Sequence, residues 1–308
     1  MSASRLLAVA ACALACALPS VAAAEDITIG LFAPTAPFEG SGDRVSFVNA
    51  VADHLAGAAG GAKVNGKVYA SASAFSAAAR KGEIQFAIVD APYAAANGLP
   101  YTILAAALRG GSGSASWQLV AKSSIGSIRD LRGARVAIPS TGAKAQAFVT
   151  NALLSGEVET SYFASITEAA DARSAVTMIT VGKADAAFVP TGVEAPSGTR
   201  RLLTLPSVGW PMFVALPAAD GKLSAAFATR IKSFGGGGGF SGFGDAGAGN
   251  YRSLAGSFGR SNKKGLMALP PPARLSVKDL LTGRSFTVPQ QDVLELVEPP
   301  PPPVADKK

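Results

Sequence analysis

Residues 135–154 read RVAIPSTGAKAQAFVTNALL. The first four are a short run with β-branched members and predict a strand, which Pro139 breaks. Ser140-Thr141-Gly142 follow, and then Ala147, Phe148, Ala152 and Leu153 recur at helical spacing. A strand, a polar turn and a helix start leave free backbone N–H groups and the positive end of a helix dipole facing whatever lies beyond the strand. A pocket there suits an anion. The competing reading is that Ser140 or Thr141 simply caps the helix.

The same arrangement is found upstream. Residues 27–32 read as a strand, 33–42 as a Pro/Gly loop (APTAPFEGSG), and 43–57 as a helix. Val45, Val48, Val51, Ala52 and Leu55 form that helix's apolar face, with Ser41 or Asp43 as N-cap. His54 lies near its C-terminal end, where the dipole favours it. A strand over 67–72, a helix over 74–81 ended by Gly82, and a strand over 83–90 complete a β-α-β-α-β unit. Such a unit implies a parallel sheet with right-handed crossovers. Ligands of open α/β sheets bind off the carboxyl ends of the strands, which groups the 35–42 loop with Asp90–Tyr93 on one rim.

Downstream, strands are expected at 101–108 and 117–121 around a Gly/Ser linker at 110–116, which marks a lobe boundary. After a helical turn at 128–133 and the 135–154 stretch come a strand at 161–163, a helix at 166–181 and a strand at 184–190. The β-α-β-α-β pattern thus occurs twice, at about 27–90 and 118–189. Residues 200–204 and 210–216 return the chain to the first lobe, and 223–234 is helical. Residues 235–249 are Gly-rich without a phosphate-loop Lys-Ser/Thr, and read as flexible loop. The expected division is lobe 1 from 25–109 and 205–268, lobe 2 from 110–204, and a Pro-rich extension from 269–308.

The chain has 308 residues, 48% hydrophobic and 16% charged, which is ample for a substantial core. Its net charge of +7 is spread without a Lys/Arg block, which argues against a nucleic-acid groove. Arg5, the apolar 6–18 run and Ala22-Ala23-Ala24 predict a secretory signal peptide cleaved after Ala24. The alternative is a lipoprotein signal at Cys16 or Cys12, and Ala13-Leu14-Ala15-Cys16 lacks the usual aliphatic residue three before the cysteine. Cleavage removes both cysteines and leaves His54 as the single histidine. That excludes a Cys nucleophile and a thiolate metal site. No later segment is apolar for 18 residues, so no membrane span is expected.

Four stretches carry a resemblance: ITIGLFAPTAPF (27–38), KGEIQFAIVDAPY (81–93), IGSIRDLRGARVAIPSTGA (125–143) and VGKADAAFVPTGV (181–193). In the third, Asp130, Leu131, Gly133, Val136 and Ala137 match a run typical of the family before its second-lobe binding loop. Over about 25–216 the chain resembles the solute-binding proteins of ABC importers with the type 2 periplasmic binding fold, in the phosphate/phosphite/phosphonate branch. The resemblance implies two α/β lobes, each a mostly parallel sheet flanked by helices, closing like a Venus flytrap on a ligand in the cleft. Carried over by position, the ligand contacts are Thr35, Phe38, Gly40 and Ser41, then Asp90 and Tyr93, then Ser140, Thr141, Gly142 and Lys144, and finally Thr191. The loop departs from the phosphonate pattern, because alanines replace downstream hydroxyls and Lys144 appears; a small oxyanion remains the implied ligand. The resemblance further implies a periplasmic or secreted monomer without catalysis or cofactor, with an ABC permease and ATPase as partners. Two alternatives stay open: a binding-fold sensor or interaction protein that uses its C-terminal extension for docking, and an enzyme on the same scaffold.

Overall fold

The computed structural model describes residues 26–97, 100–142, 144–245 and 248–258. The signal peptide and the Pro-rich extension lie outside the described residues.

In lobe 1, β1 (Ile27–Phe32) leads through the 33–40 loop into α1 (Ser41–Ala56), followed by β2 (Val64–Val68), α2 (Ala72–Arg80), β3 (Phe86–Val89), α3 (Ala91–Asn97) and β4 (Thr102–Leu108). Lobe 2 contains β5 (Ser114–Lys122), a 3-10 turn (Ile128–Leu131), β6 (Arg135–Pro139), α4 (Ala145–Ala147) running into a π-helical segment (Phe148–Leu153), β7 (Ser165–Ala169), α5 (Ala172–Thr180), β8 (Ala186–Pro190) and β9 (Thr199–Gly209). The chain then returns through β10 (Met212–Ala215), α6 (Gly221–Arg230), β11 (Gly242–Gly244) and α7 (Ala248–Phe258).

Among the described residues the strands form two sheets, ordered β11-β4-β10-β3-β1-β2 and β7-β6-β8-β5-β9. Each is mixed. Parallel pairing holds for β2-β1-β3 and β7-β6-β8, while β10 and β5 run antiparallel to their neighbours. The mostly parallel sheets expected from the repeated pattern are corrected accordingly. A strand arriving from the other lobe enters at the carboxyl ends of the parallel strands, so it must run against them. The two crossovers hold each other: the Trp210 N–H donates to the Gly113 carbonyl at 2.9 Å, and the Ala107 N–H to the Pro211 carbonyl at 2.9 Å. The expected 110–116 linker shrinks to a turn, since Ser114–Ser116 already belong to β5. α7 lies against α3, β9 and the π-helical segment. Phe258 stacks on Phe148 at 5.9 Å, and the Tyr251 hydroxyl donates to the Trp210 carbonyl at 3.3 Å.

Several boundaries move for physical reasons. The N-cap of α1 is Gly40, without a side-chain cap; Asp43 instead accepts from the Glu39 N–H. Phe47 joins the buried face of α1, whereas Val45 is 47% exposed. The expected strand at 161–163 is a turn, in which Tyr162 donates its hydroxyl to the Ile128 carbonyl at 2.8 Å. The strand is β7, and α5 starts only after Asp171, whose carboxylate accepts from the Ser174 N–H at 2.7 Å. An edge strand that is mostly exposed carries no apolar alternation, and so it reads as helix. The Gly-rich segment is ordered where described: Gly237 bridges Phe240, and β11 pairs with β4. His54 joins α1 to the end of α6, its Nε2 lying 2.9 Å from the Arg230 carbonyl.

Candidate ligand-binding site

A cavity of 610 Å³ opens on the hinge side between the lobes. Lobe 1 lines it with the loop from Thr35 to Glu39, Arg109 and Trp210, and lobe 2 with the start of α5 and the loop after β8, including Thr191. Phe38 is held in this wall by Phe47 and Phe240, at ring centroid distances of 5.4 and 6.0 Å. The Arg109 guanidinium lies 6.0 Å from the Trp210 ring centroid, a cation–π arrangement. The wall's charges nearly balance, with Arg109 and Arg173 against Glu39, Asp171 and Glu194. Asp171 is already paired across the cleft, its Oδ2 2.7 Å from Arg44 Nη2. The Ala172 N–H, in the first turn of α5, donates to the Pro34 carbonyl at 3.1 Å. A helix N-terminal donor of one lobe is thus satisfied by the backbone of the other.

Outside that cavity's lining, three buried side-chain atoms have no hydrogen-bond partner among the described residues: Arg44 Nε, Tyr69 Oη and Asp90 Oδ1. Arg44 lies near enough to Asp90 for its charge to act on it, whereas the Tyr69 ring packs on Phe75 at 5.6 Å within the lobe 1 core. Tyr69 follows β2 and donates its N–H to the Leu31 carbonyl; Asp90 follows β3 and donates its N–H to the Phe32 carbonyl. Both therefore flank the end of β1. Arg44 and Tyr69 line a 10 Å³ gap with Phe32, Pro34 and lobe 2's Ala170. Asp90 is fully buried, and its Oδ2 accepts from the Thr35 N–H at 2.6 Å. Burial pushes its carboxyl up to about 7, against the opposing pull of the Thr35 bonds and the Arg44 charge. Each buried polar group left unpaired costs about 1–3 kcal/mol, and a native protein keeps few of them.

The loop after β6 faces a second cavity, of 650 Å³, lined by Ser140, Gly142, Glu168 and the serines of α2 with Arg80. The loop's Ser140 and Thr141 donors are occupied. The buried Thr141 gives its N–H and hydroxyl to Glu168 Oε1 at 2.8 and 2.9 Å, and the Ser140 hydroxyl reaches Oε2 at 3.3 Å. Regular α-helix beyond the loop lasts only from Ala145 to Ala147 before it continues as the π-helical turn.

The eleven residues implied by the resemblance therefore do not converge on one point. Thr35, Phe38 and Thr191 share the hinge-side cavity, with Asp90 directly behind Thr35. Ser140 and Gly142 face the second cavity. Gly40 and Ser41 lie exposed at the start of α1, and Lys144 lies exposed before α4; none of the three lines either cavity. Tyr93 sits in the lobe 1 core, edge-on to Phe32 and Phe75, with its hydroxyl 2.5 Å from Ser76 Oγ.

A sequence profile described as "ABC transporter, phosphonate, periplasmic substrate-binding protein" matches residues 35–236. The chain belongs to this family. No curated protein sequence matches it. Solved structures share its fold at low identity. The Prochlorococcus marinus PhnD1 protein in complex with methylphosphonate superposes with a TM-score of 0.59 at 11% identity, covering 75% of this chain and 96% of that one. The binding protein component of a Pseudomonas aeruginosa ABC phosphonate transporter gives 0.55 at 13%, covering 72% and 82%. XAC2383 from Xanthomonas citri bound to ATP gives 0.60 at 12%, covering 76% and 97%. This binding protein has the two-lobed fold of its family, and among its described residues no helix is long and apolar enough to cross a membrane. Nor do those residues include a group of three or more His, Cys, Asp or Glu placed to hold a metal.

Sequence reasoning missed Arg44, Tyr69, Arg109, Glu168, Asp171 and Trp210. A signal existed for Asp171: an N-cap Asp directly before Ala172, Ala175, Val176 and Ile179 at helical spacing. The others are isolated polar or aromatic residues whose neighbours come from distant segments, and no local pattern marks them.

Proposed function

We propose that this binding protein captures a small oxyanion of the phosphonate class between its lobes and hands it to the permease and ATPase of an ABC importer. It does so as a periplasmic monomer, released by cleavage after Ala24, and changes no covalent bond in its ligand. The observation that carries the reading is the set of unpartnered groups at the carboxyl ends of β2, β1 and β3. Arg44 Nε and the Tyr69 hydroxyl are donors that an oxyanion satisfies once the 10 Å³ gap their residues line widens as the lobes open. Asp90, with its raised pKa, is half protonated near neutrality and can give an O–H to a third oxygen. Thr35, Phe38 and Thr191 form the adjoining wall. The family and the methylphosphonate complex of the Prochlorococcus protein support the ligand class.

Calorimetric titration with methylphosphonate, inorganic phosphate and methanesulfonate tests this. One of them is expected to bind, and Tyr69→Phe is expected to weaken it about fivefold to tenfold, the worth of one hydrogen bond. An affinity unchanged in Tyr69→Phe, or no heat with any oxyanion, rejects the assignment.

A further inference from the structure

Glu168 lies on the edge strand β7, where the parallel register sets it beside Ile138 of β6. The residue itself is exposed, yet its carboxylate turns back over the end of β6 and collects the Thr141 N–H, the Thr141 hydroxyl and the Ser140 hydroxyl. Two of the three donors converge on one oxygen and the third on the other, which is how a donor set grips one edge of an oxyanion. Thr141 is fully buried and fixed; Glu168 is the half that can leave. We propose that Glu168 is a specificity-determining residue: its carboxylate occupies the oxyanion donors of the Ser140–Thr141 loop and bars free oxyanions from them until it is displaced. The proposal rests on reading the cleft as a ligand site, and it adds that the ligand's charged group is directed away from this loop, toward Arg44 and Tyr69. A second anion entering beside Glu168 meets a like charge and finds the donors already used. A side chain kept only to tie β7 to the loop predicts lower thermal stability on its removal and no new binding.

The test is calorimetry of the full mature chain with inorganic phosphate and methylphosphonate. Glu168→Ala is expected to bind phosphate at least about tenfold more tightly than wild type. The gain should shrink when Thr141→Val is added, because one donor is lost. Glu168→Gln keeps the shape and an acceptor while removing the charge, and is expected to gain less, about threefold. If Glu168→Ala does not fold, as read by its melting curve, the Gln variant decides alone. Equal phosphate affinity in wild type and the folded variant overturns the role of Glu168, even where wild type binds methylphosphonate and the capture reading stands. A wild type silent to all oxyanions beside a Glu168→Ala that binds phosphate upholds the role and removes oxyanion capture from the native protein.

Discussion

Asp90 is a carboxyl group buried without a counter-ion in direct contact, and its ionisation has consequences for folding. Its pKa rises from 3.8 to about 7, first because of burial. Between these values the folded chain holds a proton that the unfolded chain has released, so stability falls as pH rises through that window. The group's full contribution is present below about pH 4 and is lost above about pH 7, a difference on the order of 4 kcal/mol. Asp90→Asn keeps an acceptor for the Thr35 N–H and removes the ionisation. Its melting temperature is expected to exceed that of wild type by several degrees at pH 8, with the gap closing by pH 4. Parallel melting curves across that range would show that Asp90 does not titrate on folding. Asp185 works in the opposite direction. Bonds from Arg135, then from Lys122, hold its carboxyl well below the ordinary range, so its contribution is present above the usual carboxylate pKa and is lost in acid. Both residues are visible in the sequence as acids at strand ends; only the fold leaves one unpaired and surrounds the other with cations.

Among the elements, the Gly-rich turn before β11 shows how an apparent linker shapes a binding wall. Gly238 has φ +56, and a Cβ there would lie 2.4 Å from Phe38 Cε1; Gly236 has φ +98, and its Cβ would lie 2.6 Å from the Phe240 carbonyl oxygen. Side chains are excluded because the turn packs directly on Phe38 and on its own backbone. Gly238→Ala is expected to cost about 1–3 kcal/mol, from left-handed backbone strain and overpacking. It should also weaken ligand binding, because Phe38 must shift. Gly235→Ala, with open space around its Cβ, is the control and should melt like wild type. Equal stability of the two variants would show that the turn does not buttress Phe38. Gly and Pro content marks this region as irregular, but a close approach between residues 38 and 238 leaves no local trace.

At the scale of the whole molecule, the lobes are held together by the Arg44–Asp171 pair and the Ala172–Pro34 backbone bond. Burial opposes ionisation of Asp171, but bonds from Ser174 and the Arg44 charge prevail and keep its carboxyl below the ordinary range. Asp171→Asn retains a good N-cap for α5 while removing the charge; Asp171→Ala loses both, at a further cost of about 1 kcal/mol. With one spectroscopic label on each lobe, Asp171→Asn is expected to lengthen the inter-lobe distance before ligand is added. It should also weaken ligand binding by the free energy of that opening. A distance equal to wild type would mean that the pair does not hold closure. The hinge itself is short, since the two crossovers are bonded to each other and covered by α7 through Tyr251.

The alternation of β-branched runs with helical periodicity marked, from the sequence alone, a β-α-β-α-β unit in the first half and a repeat of the pattern in the second, though with its middle strand at 161–163, where the chain turns, instead of at β7. Those patterns arise from contacts within a few residues, so a linear reading suffices. The motif stretches around Asp130–Ala137 and residues 81–93 determined the family for the same reason. Tertiary structure alone decided the strand directions of β5 and β10, the partner of each charge and the division of the cleft into two cavities. The loop at Ser140–Thr141 carries donors that the sequence shows plainly. That Glu168 already holds them depends on a parallel register between β6 and β7, which brings residues 27 or 28 positions apart into hydrogen-bond contact. The same holds for Thr35 and Asp90, 55 positions apart, and for Arg44 and Asp171, 127 apart. Long-range pairing depends on how whole elements pack, and no local stretch of chain encodes it.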